Sequence, residues 1–106
     1  MTIDQPAPVT DVLSFHCQQA AEKFLKMYLV RYGVNPKRTH DIGFLVGECC
    51  RFDPAFETLF DVSFLSVYAV ESRYVDDFFI PSIEELGNAY TAALKVRDFI
   101  LARIKE

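Results

Sequence analysis

The sequence predicts an all-α fold, an antiparallel up-and-down bundle of four to five helices. Three observations carry that expectation. First, Asp11 to Tyr32 contains neither Gly nor Pro over about six turns, so nothing in it obliges a helix to stop. Second, cap signals recur along the chain at Thr39, at Asp53-Pro54 and at Ser82 to Glu85. Third, the one segment with strand propensity, FLSVYAVESRY, has no partner strand elsewhere in the sequence, so helix is the better reading.

In chain order, Met1 to Pro8 holds two prolines and few large apolar groups, and reads as a loose tail. Thr10 or Asp11 can cap the first helix, and Gly33 can end it in the left-handed conformation. On a 3.6-residue wheel, Leu13, Cys17, Ala20, Ala21, Phe24, Met27 and Tyr28 form a broad apolar side. His16, Gln19, Glu22, Lys23 and Lys26 gather opposite. Those polar residues are either solvated surface or one wall of a site.

Asn35 to Arg38 is a turn, and Thr39 is the expected cap of a short second helix. Its core face is Ile42, Leu45, Val46 and Cys49, and Gly43 and Gly47 suggest close helix approach. A third helix is expected from about Pro54 to Tyr74, with a possible break near Asp61 to Ser63. Val75 to Ile80 reads as a loop. Ser82-Ile83-Glu84-Glu85 is a capping box that opens a last helix reaching about Ile104. Leu86, Ala89, Tyr90, Ala93, Val96 and Ile100 mark its expected buried side.

A chain of 106 residues is one domain, long enough to bury roughly 65% of its unfolded surface. Its 51% apolar content includes ten Phe and five Tyr, so some aromatic surface is expected to remain for a partner. A net charge of −4 gives no global attraction to nucleic acid. The three Cys lack both a signal peptide and metal-ligand spacing, and read as reduced thiols of a cytoplasmic protein. No run approaches the ~20 apolar residues of a membrane helix.

The chemical inventory excludes several classes. There is no Gly-rich phosphate loop, HExxH, CxxC or serine-nucleophile signature, so no cofactor, metal or catalytic residue is assigned. His16 and His40 are the two histidines, and a lone histidine in a helical protein is usually structural. His40 stands beside Asp41, which could orient its ring. Arg73 is open to two readings, a cation at a helix C-terminus or a bidentate anion clamp.

Three segments then carry a resemblance. FHCQQAAEKFLKMYLVRYG, KRTHDIGFLV and YAVESRYVDD resemble, in order and spacing, the segments F-H-x-Q-Q-A-x-E-K-x-L-K, R-T-H-D-L-x-x-L and S-R-Y-P-D of the HEPN domain family. The matching residues are Phe15, His16, Gln18, Gln19, Ala20, Glu22, Lys23, Leu25 and Lys26, then Arg38, Thr39, His40, Asp41, Ile42 and Leu45, then Ser72, Arg73, Tyr74 and Asp76. Val75 replaces the family's Pro. The family usually carries a helix before the first segment; about ten residues precede it here, so that helix is expected to be missing or very short.

The resemblance implies a helical bundle that often forms homodimers and binds nucleotides, commonly as partner of a minimal nucleotidyltransferase in toxin–antitoxin-like pairs. Other members are metal-independent ribonucleases that use an Arg followed, four to six residues on, by a His. No His follows Arg73 in this chain, so catalysis by this chain alone is not expected. The expected nucleotide- or phosphate-binding residues are Gln19, Lys23, Lys26, His40, Arg73 and Tyr74, supported by Glu22, Asp41 and Asp76. The alternatives are a ribonuclease or toxin in which His40 meets Arg73 through the fold or across a dimer, and a non-catalytic dimerising scaffold. RNA is a less favoured ligand, and no membrane is expected.

Overall fold

The structure, a computed structural model, describes residues 7–69 and 81–104. Among these it contains four helices: α1 (Ala7–Arg31), α2 (Ile42–Cys50), a 3₁₀ helix (Pro54–Tyr68) and α3 (Ile83–Ile104). No strand occurs among the described residues, and the fold is the all-α bundle that the sequence implies.

α1 begins at Ala7, so Thr10 lies inside the helix rather than capping it. Its buried hydroxyl instead donates to the Pro81 carbonyl at 2.8 Å. That bond sets the starts of α1 and α3 side by side. The end of α1 follows expectation. Gly33 takes φ +81°, and the Gly33 and Val34 amides bond back to Val30 and Leu29 at 2.9 and 3.0 Å. This is a Schellman end, and only a residue without Cβ adopts its φ cheaply.

After Gly33 the chain doubles back. His40 lies against Gln18 and Glu22, Cys49 against Leu25, and Phe52 stacks on Tyr32. α2 therefore climbs in the same sense as α1. The 3₁₀ helix then descends, pairing Ser66 with Ile42, and Asp61 with Lys95 of α3. The neighbours on either side of it are thus antiparallel to it.

Asp41, not Thr39, caps α2: its carboxylate accepts from the Phe44 amide at 3.1 Å, while the Thr39 hydroxyl accepts from the Asp41 amide. Ile42, Leu45, Val46 and Cys49 are all fully buried, as their spacing implies. A Cβ on Gly43 would meet the Ser63 hydroxyl at 3.0 Å, whereas one on Gly47 would make ordinary contact with Phe60. Only Gly43 marks close approach.

The segment from Pro54 shows no break at Asp61 to Ser63. Its buried residues are Phe56, Leu59, Val62, Leu65 and Tyr68, each three after the last. A 3₁₀ helix eclipses residues i and i+3, so this spacing keeps all five on one face, whereas an α-helix would wind them away. Asp53 caps it through the Ala55 amide, with Pro54 in the first turn. It ends at Tyr68, where Ala69 turns extended; the expected end at Tyr74 lies outside the described residues.

The capping box of α3 is present in both halves: Ser82 N to Glu85 Oε1 at 2.8 Å, and Glu85 N to Ser82 Oγ at 3.0 Å. Ala89, Ala93, Val96 and Ile100 are buried, joined by Ala92. Tyr90 is not buried; it is 58% exposed. The apolar stripe of α3 is wider than the face the core takes up. The same holds on α1, where Leu13, Ala20 and Met27 are exposed and Leu25 and Leu29 are buried in their place. All three cysteines are free: Cys49 is buried, and Cys17 and Cys50 are half-buried. Burial pushes the Cys49 thiol up to about 12.

Candidate functional site

The polar side of α1 is not plain surface. Ser14, Gln18 and Glu22 follow one another at i, i+4 and are all buried. Glu22 is 3% exposed, the one buried acid among the described residues. The segment returning from Gly33 covers it.

Four side chains converge on this carboxylate. Lys26, one turn on, gives its ammonium to Oε2 at 2.9 Å. His40, arriving from the return segment, places Nδ1 2.9 Å from Oε1. Gln18 donates to Oε1 at 3.0 Å, and Gln19 reaches it at 3.4 Å. Gln19 also donates to the Gln18 side-chain oxygen Oε1 at 2.8 Å, and Gln18 donates to the His40 backbone carbonyl at 3.3 Å. Burial pushes the Glu22 carboxyl up, but the bonds from Lys26, His40 and Gln18 outweigh it and hold the group below the usual carboxylate range. Glu22 is therefore ionised at neutral pH. An ionised carboxylate only accepts, so His40 donates through Nδ1–H, which fixes the tautomer and makes Nε2 the basic nitrogen of the neutral ring. The His40 side chain is 45% exposed and that of Lys26 24%, so both reach the surface from a buried anchor.

Of the residues singled out from the sequence, Gln19, Glu22, Lys26 and His40 come together. Lys23 stands exposed on the next face of α1. Asp41 is engaged as the cap of α2 and does not orient the His40 ring; Glu22 does. Arg73, Tyr74 and Asp76 lie outside the described residues. Lys26 and Glu22 offset each other's charge, so any positive excess at the site has to come from other cations. Gln18 and Ser14 were not among the expected site residues. Gln18 could have been found from its i, i+4 spacing to Glu22, since an amide one turn from a buried acid is a natural donor to it. The Ser14 hydroxyl is fully buried without a hydrogen-bond partner among the described residues. No group of His, Cys, Asp and Glu among the described residues is arranged to hold a metal ion.

These features define a class: a small helical module in which a buried carboxylate holds a lysine and a histidine at the surface. Residues 8–104, nearly the whole chain, match the HEPN domain family model. The chain belongs to the HEPN family, whose members are helical modules of nucleotide-binding and ribonuclease type. No curated protein and no solved structure matches it. No described helix is long and apolar enough to cross a membrane.

Proposed function

We propose that this domain binds a nucleotide or another phosphate-bearing ligand, and that it does so as the cytoplasmic partner of a minimal nucleotidyltransferase in a toxin–antitoxin-like pair. The observation that supports this reading is the Glu22 cluster. A buried acid that holds Lys26 and His40 in place fixes one phosphate-binding donor, the Lys26 ammonium, before any ligand arrives, and the imidazolium form of His40 supplies a second through Nε2–H. Gln19 and the exposed Lys23 flank them on α1. The family resemblance adds Arg73, Tyr74 and Asp76 to the same site, with Arg73 as the bidentate phosphate clamp and Tyr74 as a stacking surface for a base. The domain acts as a homodimer.

A second reading draws on one distance. A histidine oriented by a carboxylate at 2.9 Å is the arrangement of a general base. That favours a ribonuclease in which His40 replaces the family's downstream histidine and Arg73 stabilises the phosphorane charge.

Calorimetric titration of the pure protein against a panel of mono-, di- and triphosphate nucleotides tests the first reading. Lys26→Ala and Arg73→Ala should each weaken binding by more than about tenfold, or ~1.4 kcal/mol. If wild type binds no nucleotide while His40→Ala abolishes cleavage of an RNA substrate, the second reading replaces the first.

A further inference from the structure

The Glu22 carboxylate fixes more than the position of His40. Its Oε1 accepts Nδ1–H of the ring at 2.9 Å, so in the neutral ring Nε2 carries a lone pair. That nitrogen then accepts hydrogen bonds and donates none. The oxygens of an ionised phosphate are acceptors as well. The neutral ring and the phosphate therefore meet lone pair against lone pair. A proton on Nε2 reverses this, because imidazolium donates from both nitrogens, one toward Glu22 and one away from it.

The charges around the ring point the same way. Lys26 and Glu22 offset each other, so the cluster with neutral His40 has no net charge. A phosphate arriving there adds negative charge, and within the cluster only a proton on the ring compensates it. Between Glu22 and Asp41 the chain carries Lys23, Lys26, Arg31, Lys37 and Arg38 and no acid. Lys23, Arg31, Lys37 and Arg38 are exposed and pair with no acid among the described residues. Arg51, Lys95, Arg97 and Arg103 each hold one. The unpaired cations attract an anion to this part of an otherwise acidic protein. The acids nearby are engaged elsewhere. Asp41 accepts from the Phe44 amide, Glu48 pairs with Arg51, Glu57 lies by Cys50, and Asp61 pairs with Lys95.

We propose that His40 recognises phosphate as imidazolium, so that the nucleotide binds together with a proton taken up at Nε2. This rests on the nucleotide-binding reading above and adds its charge rule. The proton comes from solvent and fills the Nε2 lone pair, and no bond of the nucleotide breaks. The two readings of the site then respond oppositely to pH. A donor to phosphate works only as imidazolium, so nucleotide affinity falls as pH rises across neutrality. A general base works only as the neutral ring, so RNA cleavage rises over the same range.

Calorimetric titration with AMP, ADP and ATP tests this at about pH 7.5, where their phosphates are almost fully ionised. Across buffers of different ionisation enthalpy, wild type should take up about half a proton or more per nucleotide, and His40→Gln none. Wild-type affinity should fall by up to about tenfold per pH unit above that point, while that of His40→Gln stays level. Adenosine, which lacks phosphate, should bring no proton. Imidazole NMR of wild type reads the same event without a variant: His40 should gain a proton on addition of nucleotide, with His16 as the unchanged reference. Nucleotide binding without proton uptake, or uptake that His40→Gln retains, would overturn the inference and leave nucleotide binding standing. Failure of all three nucleotides to bind between about pH 6 and pH 8 would overturn both.

Discussion

Glu22 owes its ionised state to its neighbours. An isolated buried carboxylate would take up a proton, because burial disfavours the charge. Here three donors outweigh that cost and hold its pKa below the ordinary 4.5. A carboxyl whose folded pKa is depressed contributes stability above its unfolded pKa, and that contribution is lost as pH falls through the folded one. The fold should therefore weaken as pH drops below the ordinary carboxylate range. Glu22→Gln keeps the shape and removes the charge, leaving Lys26 and His40 without their anion. It should destabilise the protein by about 2 kcal/mol at neutral pH, the scale of a hydrogen-bonded charge. It should also flatten the acid limb of stability measured by urea melts between neutral and acid pH. An unchanged acid limb would show that other carboxylates govern it. From the sequence Glu22 was one of five polar residues on a side open to two readings, solvated surface or one wall of a site. Its burial depends on a return segment some eighteen residues away, and helical periodicity carries no information about that.

Some element ends were legible and others were not, since Thr10 lies inside α1 and Asp41 caps α2 in place of Thr39. Gly33, Asp53-Pro54 and the Ser82–Glu85 box act within four residues of themselves, and each does in the structure what its local chemistry dictates. The 3₁₀ form was missed because the segment was read as helix from its cap and its lack of a partner strand, and the steps of three between its apolar residues were not used. The glycines of α2 looked equivalent in sequence and are not. Gly43 faces the Ser63 hydroxyl, while Gly47 has room for a methyl group. Gly47→Ala should thus gain most of the helix-propensity difference, up to about 1 kcal/mol. Gly43→Ala should gain none of it or lose stability, since the Ser63 side chain must shift. Paired chemical melts of the two variants against wild type decide this. Equal gains would mean that α2 and the 3₁₀ helix separate more easily than their contact distance suggests.

α1 organises the molecule because three of its sides are used. One side packs Leu25, Tyr28 and Leu29 into the core. A second holds the Glu22 cluster under the return segment. A third, with Leu13, Ala20 and Phe24, opens into the groove beside α3. Lys26 and the groove wall lie on opposite sides of the helix, so a substitution in the groove leaves Lys26 and its carboxylate partner untouched. The expected outcome is independence. Tyr90→Asp should leave nucleotide affinity within about twofold of wild type, and Lys26→Ala should dimerise as wild type does. In the double variant the two effects should add to within ~0.5 kcal/mol, the usual limit for residues without shared partners. Measuring both equilibria on the four proteins closes the cycle. If Tyr90→Asp instead lowers ligand affinity more than about tenfold, the site is completed by the second copy. That coupling would favour the ribonuclease reading, in which His40 of one chain acts with an arginine of the other.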